Sequence, residues 1–502
     1  MIPFAKVAQA KTIPRGESVP SRRTKSWRAT ADWTTAESRK PSPSAQRISQ
    51  NMVNAISRAP SNAVTMSMHF VAWAVMVTPR PRVVVVGAGF GGLAAARALR
   101  HVPVDVVLVD RHNYHLFTPL LYQVANAQLD PGEIAQPVRA ILRRQRNLRM
   151  WMAEVVDVDL DRKVVHTDHG EVDYDYLLLA PGSTTNYFGN HELAQQATGL
   201  KTLEEGLGLR NHVLSQFEQA RWTDSAEERR RMLTFAVVGG GPTGVEYAGS
   251  LMELIKLVLA KDYPGMKLDE VKVLLLEAGS ELLPAFDLAL RRYADRRLKK
   301  MGVEIRYGAR VSSYRDTCVE LSGGGSFPAG TLVWTAGVRG ADLLSKLGRP
   351  LQKNGTLKVE PTLQLPARAD VFVIGDAADL EENGAPLPQL APVAQQQARR
   401  AAANIAAHLK GEPMRPFRYF DKGTMATIGR NAAVAQVGRI RVKGFLGWLG
   451  WLFLHLLLIV SLRSRLIVFI NWTWDYFFKD RPVRLILTAR SITHDDRDAV
   501  GS

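Results

Sequence analysis

Two glycine triplets and two strand-end acids are the residues of this sequence best placed for chemistry. Gly87, Gly89 and Gly92 lie in VVVVGAGFGGLAAARAL, residues 83 to 99, and Gly239, Gly241 and Gly244 in FAVVGGGPTGVEYAGSL, residues 235 to 251. Each triplet has the spacing G-x-G-x-x-G, follows a buried-type β-branched run and opens a small-residue helix. That order allows a tight turn, a close approach of backbone to a pyrophosphate, and close packing of helix on strand. The phosphates then meet free N–H groups at a helix N-terminus. Phe90 and Gly91, inside the first triplet, belong to the same candidate contact surface. A later strand ends in an acid in each half, VVLVD at Asp110 and VKVLLLE at Glu277, where a carboxylate can accept from ribose hydroxyls. Asp110 falls at the usual spacing. Glu277 comes later, and a surface carboxylate at a strand end remains an alternative for it.

Further candidates lie outside the triplets. VFVIGDAADL, 371 to 380, is an apolar strand ending at Gly375 and Asp376; such an acid can bond ribityl hydroxyls or can simply cap a helix. Gly337 closes VWTAG in the second half. Glu246 sits in the first turn of the helix after the second triplet, where the helix dipole favours a carboxylate. PVAQQQARRAAANIAAHL, 392 to 409, is a helix opening on Gln395, Gln396 and Gln397, amides expected to face solvent. His112 and His115 match no zinc spacing, so they are read as packing or ligand-shaping residues and no metal is expected. A single cysteine, Cys318, excludes an internal disulfide and any C-x-x-C redox pair.

These residues need parallel sheets to position them, and the pattern predicts two Rossmann-like α/β domains followed by a C-terminal helical membrane-associating region. At 502 residues the length suggests about three domains. We expect a disordered basic extension over 1–78, a first dinucleotide domain over 79–200 and 334–415, a second dinucleotide domain over 201–333, and the C-terminal region over 416–502. The segment 151 to 180 reads as a strand meander returning to the first sheet, and 201 to 230 as a charged helical connection. The net charge is +17, and residues 1 to 80 hold twelve Lys and Arg against three acids. No nucleic-acid-binding signature accompanies that charge, which excludes nucleic acid as the preferred partner. The Arg- and Ser-rich leader also has the look of a transit peptide, and Met76 would be a natural internal start.

FLGWLGWLFLHLLLIVSL, 445 to 462, followed by basic Arg463 and Arg465 and by LIVFINWTWDYFF, 466 to 478, is the most lipid-like part. As one helix the first run is about 27 Å long, just short of a bilayer core of roughly 30 Å. Gly447, Gly450 and His455 count against a span, and four tryptophans favour the membrane–water boundary. A monotopic foot on the bilayer surface is expected, with a single-pass span as the alternative; burial in a homodimer or against the other domains is the non-membrane reading.

Taken together, HNYHLFTPLLYQVA (112 to 125), the paired fingerprints, VWTAGV, GDAA, APVAQQQ and DKGTMATIGR (421 to 430) resemble the type II NADH dehydrogenases, single-subunit NADH:quinone oxidoreductases, over about 82 to 487. The resemblance implies FAD on the first fingerprint with Asp376 at its ribityl chain, NADH on the second, and Glu246 near both rings as a source of protons. It also implies a membrane quinone at Ala391, Ala394, Gln395 and Gln396, where the family motif A-Q-x-A-x-Q carries Pro392 in place of its first glutamine. Without a cysteine pair, electrons pass directly from flavin to acceptor. The implied enzyme is a non-pumping respiratory one on the cytoplasmic face of a bacterial inner membrane. The alternatives are a soluble NADH-dependent reductase of a ferredoxin-like protein and a flavin-binding interaction protein of low turnover.

Overall fold

The computed structural model describes residues 80–487; the extension read over 1–78 and the chain beyond 487 lie outside the described residues. The strand Arg82–Val86 buries all four of its valines, as a parallel strand covered on both faces must. It stands in a six-stranded sheet in the order Gln364–Leu365, Arg368–Val373, Tyr176–Leu179, Arg82–Val86, Asp105–Asp110, Leu148–Met152. Its pairings are parallel except at the Gln364–Leu365 edge.

A second sheet repeats the plan. Thr198–Gly199, Thr331–Trp334, Thr234–Val238, Lys272–Glu277 and Glu304–Tyr307 pair in parallel throughout. In both halves the fingerprint strand leads into a helix, Phe90–Ala98 or Pro242–Glu253. Each half then sends out a three-stranded antiparallel meander, Val155–Asp159, Val164–Thr167, Gly170–Asp173 in one and Val311–Arg315, Cys318–Leu321, Ser326–Pro328 in the other. The chain then returns as a parallel strand beside the fingerprint strand. The two α/β units expected from sequence are therefore one supersecondary plan used twice. Thr202 starts the connecting helix Leu203–Trp222 with a full capping box, its hydroxyl on the Glu205 N–H and the Glu205 carboxylate on the Thr202 N–H.

The helix Ala391–Leu409 packs along Phe90–Ala98. Ala394, Ala398, Ala401 and Ala402 on one side and Gly91, Gly92, Ala95 and Ala96 on the other are all buried, so small side chains let the two axes approach closely.

The C-terminal region departs from expectation. It opens with an antiparallel sheet, Thr424–Thr427, Ala433–Val437 and Ile440–Gly444, that the sequence reading had not anticipated. The apolar run 445–462 is not one helix. It ends at Leu458, Ile459 turns to extended backbone, and Ser461 caps a new helix, Leu462–Phe478. Among the described residues no helix is long and apolar enough to cross a membrane, which corrects the single-span alternative. Gly447, read as weakening a helix, has a packing role: a Cβ there would lie 3.0 Å from the Ala433 carbonyl oxygen. The inner faces of the two helices, with Trp451, Val468 and Trp472, join the same core as Phe117 to Ile134 and the second α/β unit.

Candidate functional site

The first glycine turn shows a separate reason for each glycine. Gly87 has φ +95, and a side chain on it would run into the carbonyl of Ala180; one on Gly92 would run into the carbonyl of Gly87. Gly89 faces open space. The second turn is the same: Gly239 (φ +108) lies against Ala336, Gly244 against the Gly239 carbonyl, and Gly241 faces open space. In both halves the first and third glycines serve contact within the protein, and the middle one leaves room for a ligand.

The strand-end acids close onto these turns. Asp110 accepts from the Ala88 N–H at 2.5 Å and from the His112 N–H at 2.7 Å. Glu277 accepts from the Gly240 N–H and the Gly279 N–H, both at 2.6 Å. Asp110 lies 22 residues beyond its partner and Glu277 lies 37 beyond its own. The difference arises because the second helix runs on through a wide turn, Leu254–Leu259, and Ala260–Asp262 before the chain returns. The late spacing of Glu277 comes from a longer helix and a longer connection after it, with the acid in the equivalent place.

A cleft of about 560 Å³ runs along the first turn. Gly87, Gly89, Phe90, Gly91 and Asp110 line it on one side, Pro181, Gly182, Ser183 and Lys201 continue it, and Gly375, Asp376, Ala391 and Ala394 close it. Asp376 accepts from the Ser183 hydroxyl at 2.5 Å and lies 3.3 Å from the Lys201 ammonium. That ammonium also donates to Ser183 at 2.7 Å. Asp376 is thus part of a polar triad inside the cleft. Lys201, placed just before the capping box, carried no signal in the sequence. Gly375 has φ +70 and donates its N–H to the side chain of Gln397 at 2.7 Å.

The glutamines divide against expectation. Gln397, expected in solvent, is buried and holds the Gly375 turn. Gln395 is half-buried. Gln396 clamps the backbone of Phe420 with both ends of its amide, donating to the carbonyl at 3.0 Å and accepting from the N–H at 3.1 Å.

Glu246 does not line this cleft. It faces a separate small cavity of about 40 Å³ shared with Tyr122, Ser250, Glu253, Thr427, Arg430 and Trp451. Desolvation pushes its carboxyl up to about 8, an effect only partly offset by the Thr427 N–H and the Trp451 indole beside it. The Thr427 N–H reaches it at 3.2 Å. Gln396 and Glu246 are therefore not side by side, but they grip the two ends of one segment, 420 to 427.

The C-terminal helices are tied to this region by buried ions. Arg481 is 1% exposed and donates to the carbonyls of Asn126 (3.0 Å) and Ser250 (3.2 Å), with Glu253 at 3.5 Å and Asp475 at 3.9 Å. Arg430 reaches Asp475 at 3.3 Å. On the same helices Leu446, Leu449, Phe453, Leu457, Leu462, Leu466, Phe469, Ile470, Phe477 and Phe478 are all exposed, so these helices bury one set of side chains in the core and leave a second, largely apolar set in the open. Among the described residues no cluster of metal-ligating side chains is present.

Known proteins resemble this chain in sequence and in fold. The family profile of pyridine nucleotide-disulphide oxidoreductases matches residues 81–398, and that of the NDH2 C-terminal domain matches 422–480. The chain is 39% identical over 426 residues to the type II NADH:quinone oxidoreductase Ndh of Mycobacterium tuberculosis, covering 82% of this chain and 90% of that protein. It is 40% identical over 430 residues to NdhA of the same organism, with the same coverage. In fold it is similar to NDH2 from Plasmodium falciparum, solved in complex with NADH, at a TM-score of 0.74 and 20% identity, covering 82% of this chain and all of that one.

Proposed function

Because this chain belongs to the type II NADH:quinone oxidoreductases, within the FAD-dependent pyridine nucleotide-disulphide oxidoreductases, we propose how its own residues divide that reaction. The first cleft holds FAD. Gly89 leaves space for the pyrophosphate, Asp110 turns from the Ala88 amide to a ribose, and Asp376, with Lys201 and Ser183, meets the polar chain toward the ring. NADH occupies the second turn at Gly241, with Glu277 on its ribose and Gly337 along its path. A bound flavin supplies the redox step, accepting a hydride from NADH and passing the electron pair on.

The protein supplies position and protons. Overall, NADH, one proton and a quinone give NAD⁺ and a quinol, so one proton enters per turnover. Glu246 is suited to hold it: its buried carboxyl remains protonated near neutral pH. The quinone is placed at Ala391, Ala394, Gln395 and Gln396, where the helix start meets the first cleft. Gln396 sets the position of the 420–427 segment that also carries the Thr427 amide to Glu246. The proline at 392 fits the first turn of the helix, where no N–H is needed.

The apolar face of the two C-terminal helices rests on a bilayer surface, which suits a quinone dissolved in lipid. Trp474 and the basic Arg463 flank it at the water boundary. With bacterial relatives near 40% identity, the cytoplasmic face of an inner membrane is the compartment this favours.

The observation that carries the reading is the pair of equivalent turns, each with an open middle glycine and a carboxylate on the turn amide. Two dinucleotide sites without a cysteine pair make a carrier that passes electrons directly between cofactors. The test is to block each turn separately. Gly89→Val should purify without flavin. Gly241→Val should keep its flavin spectrum but not be reduced by NADH. Loss of flavin in Gly241→Val with retention in Gly89→Val would reverse the assignment.

A further inference from the structure

The two α/β units differ at one place where the repeat predicts likeness. After its closing strand each unit carries a loop pressed against the fingerprint turn: Ala180 to Gly182 lies on Gly87, and Thr335 to Gly337 lies on Gly239. The chains leaving the two loops pair with each other, Ser183–Thr185 antiparallel to Val338–Gly340. In the first unit the loop lines the open cleft, and nothing lies within 4 Å of a Cβ built on Gly182. In the second unit the corresponding space above Gly337 (φ +150) holds the tip of the Phe188 ring, its Cζ 3.5 Å from the built Cβ.

Phe188 is an unusual residue to find there. Its φ is +53, a left-handed conformation that is a rare outlier for a bulky side chain. It is also 68% exposed, its one aromatic contact an edge-on approach to Trp334 with ring centroids 6.4 Å apart, so little burial of the ring compensates. The loop is nevertheless held firmly. The Asn186 side chain accepts from the Phe188 N–H at 2.8 Å, and the Asn186 N–H donates to the Gly337 carbonyl at 3.0 Å. The Trp334 indole donates to the Asn186 carbonyl at 2.8 Å, and the Tyr187 ring lies 5.6 Å from that of Trp334. A left-handed backbone that the surroundings enforce, on a ring whose larger part stays in solvent, is a pattern found at functional sites.

We propose that Phe188 is the nicotinamide clamp of the second site, offering an aromatic face that stacks on the nicotinamide ring as the nucleotide passes Gly337. The inference rests on NADH occupying the second fingerprint. With the phosphates at the open Gly241 and a ribose on Glu277, as in that assignment, the nicotinamide end is the part of the nucleotide left to reach Gly337 and the Phe188 ring. An offset or edge-on ring pair contributes enough for about a three- to tenfold change in affinity.

The test uses the flavin-loaded enzyme and calorimetric titration with two ligands. One is tetrahydro-NAD, a reduced analogue that cannot give up a hydride; the other is ADP-ribose, which lacks the nicotinamide. Phe188→Ala and Phe188→Gly should weaken tetrahydro-NAD about three- to tenfold and leave ADP-ribose within twofold, while Phe188→Tyr binds both as the parent does. Phe188→Gly, relieved of the left-handed strain, should melt no lower than the parent, which a purely structural role would not permit. Gly241→Val serves as the control for the site and should bind neither ligand. If Gly241→Val binds neither but Phe188→Ala binds tetrahydro-NAD normally, or loses both ligands equally, the clamp is overturned and the site stands. If Gly241→Val binds both normally, the site assignment falls and the clamp with it.

Discussion

Replacing Glu246 by glutamine should make the protein more stable, and the gain should grow with pH. In the unfolded chain a glutamate ionises near 4.5, whereas burial between Thr427 and Trp451 holds this carboxyl protonated up to about 8. The folded state therefore binds a proton that the unfolded state has released. Its contribution is fully present below about pH 4.5 and is lost as pH rises toward 8, at about 1.4 kcal/mol per unit. Across the whole window that amounts to roughly 3 to 5 kcal/mol, a large share of the usual 5 to 15 kcal/mol of a folded domain. Glutamine keeps an oxygen for the Thr427 N–H and never ionises, so it removes this term. Denaturant midpoints of parent and Glu246→Gln, measured from pH 5 to 9, should nearly coincide at the acid end and separate steadily to about pH 8. Parallel curves, or a variant that falls below the parent at pH 8, would refute the buried neutral carboxyl. In the same variant, reduction of the flavin by NADH should be near normal and reoxidation by quinone slowed, because the held proton is gone.

Other consequences follow from the same geometry. Asp376→Ala removes the charged partner of Lys201 and, on the proposed assignment, of the ribityl chain, worth about 1.5 to 3 kcal/mol; the protein should purify partly as apoprotein, seen as a lowered ratio of flavin to protein absorbance. NADH should be preferred to NADPH, since Glu277 already neighbours the Gly279 and Gly240 amides and would repel a 2′-phosphate; comparable kcat/KM for the two would count against it. Gln396→Ala releases Phe420 and should slow quinone reduction in stopped-flow more than flavin reduction. Leu446→Glu, Phe453→Glu and Phe477→Glu together should abolish flotation with phospholipid vesicles while leaving turnover with a short, water-soluble quinone intact. Binding that survives all three would place the bilayer contact elsewhere.

Much of the fold was legible because its signals are local. A β-branched run followed by closely spaced glycines can form little else, and the second copy repeats the physics of the first. The strand-end acids were legible for the same reason, although Glu277 looked late until the extended helix Pro242 to Asp262 and the longer connection after it accounted for the extra residues. What escaped was set by tertiary contact. Lys201 reaches Asp376 across 175 residues, and Arg481 reaches Glu253 across 228, and no local pattern encodes either pair. Gln397 read as solvent-facing because three adjacent glutamines point in three directions on a helix, and only the position of Gly375 decides which of them is buried. The hairpins between Thr424 and Gly444 were hidden for a different reason: their strands are short, and the alternation in RIRVKG is mostly polar.

The C-terminal run shows why hydropathy alone misleads at this length. A largely apolar run of eighteen residues is nearly enough for a span, and average hydropathy cannot register that Ile459 turns the chain and Ser461 restarts it. What the structure adds is direction. Trp451, Val468 and Trp472 point into the core shared with Phe117 and Tyr122, and Asp475 is locked to Arg430 and Arg481. A helix pinned by buried ions on one side cannot turn that side to lipid, because separating a buried ion pair costs about 3 to 5 kcal/mol. Only the opposite face, with Leu446, Phe453, Phe469 and Phe477, is free to meet a bilayer. The same ion network ties the chain just past these helices to the helix that carries Glu246, through Arg481 on Glu253 and the Ser250 carbonyl; on the function proposed above, the surface that would receive a lipid-soluble quinone and the carboxyl that would hold its proton are therefore joined by direct contacts.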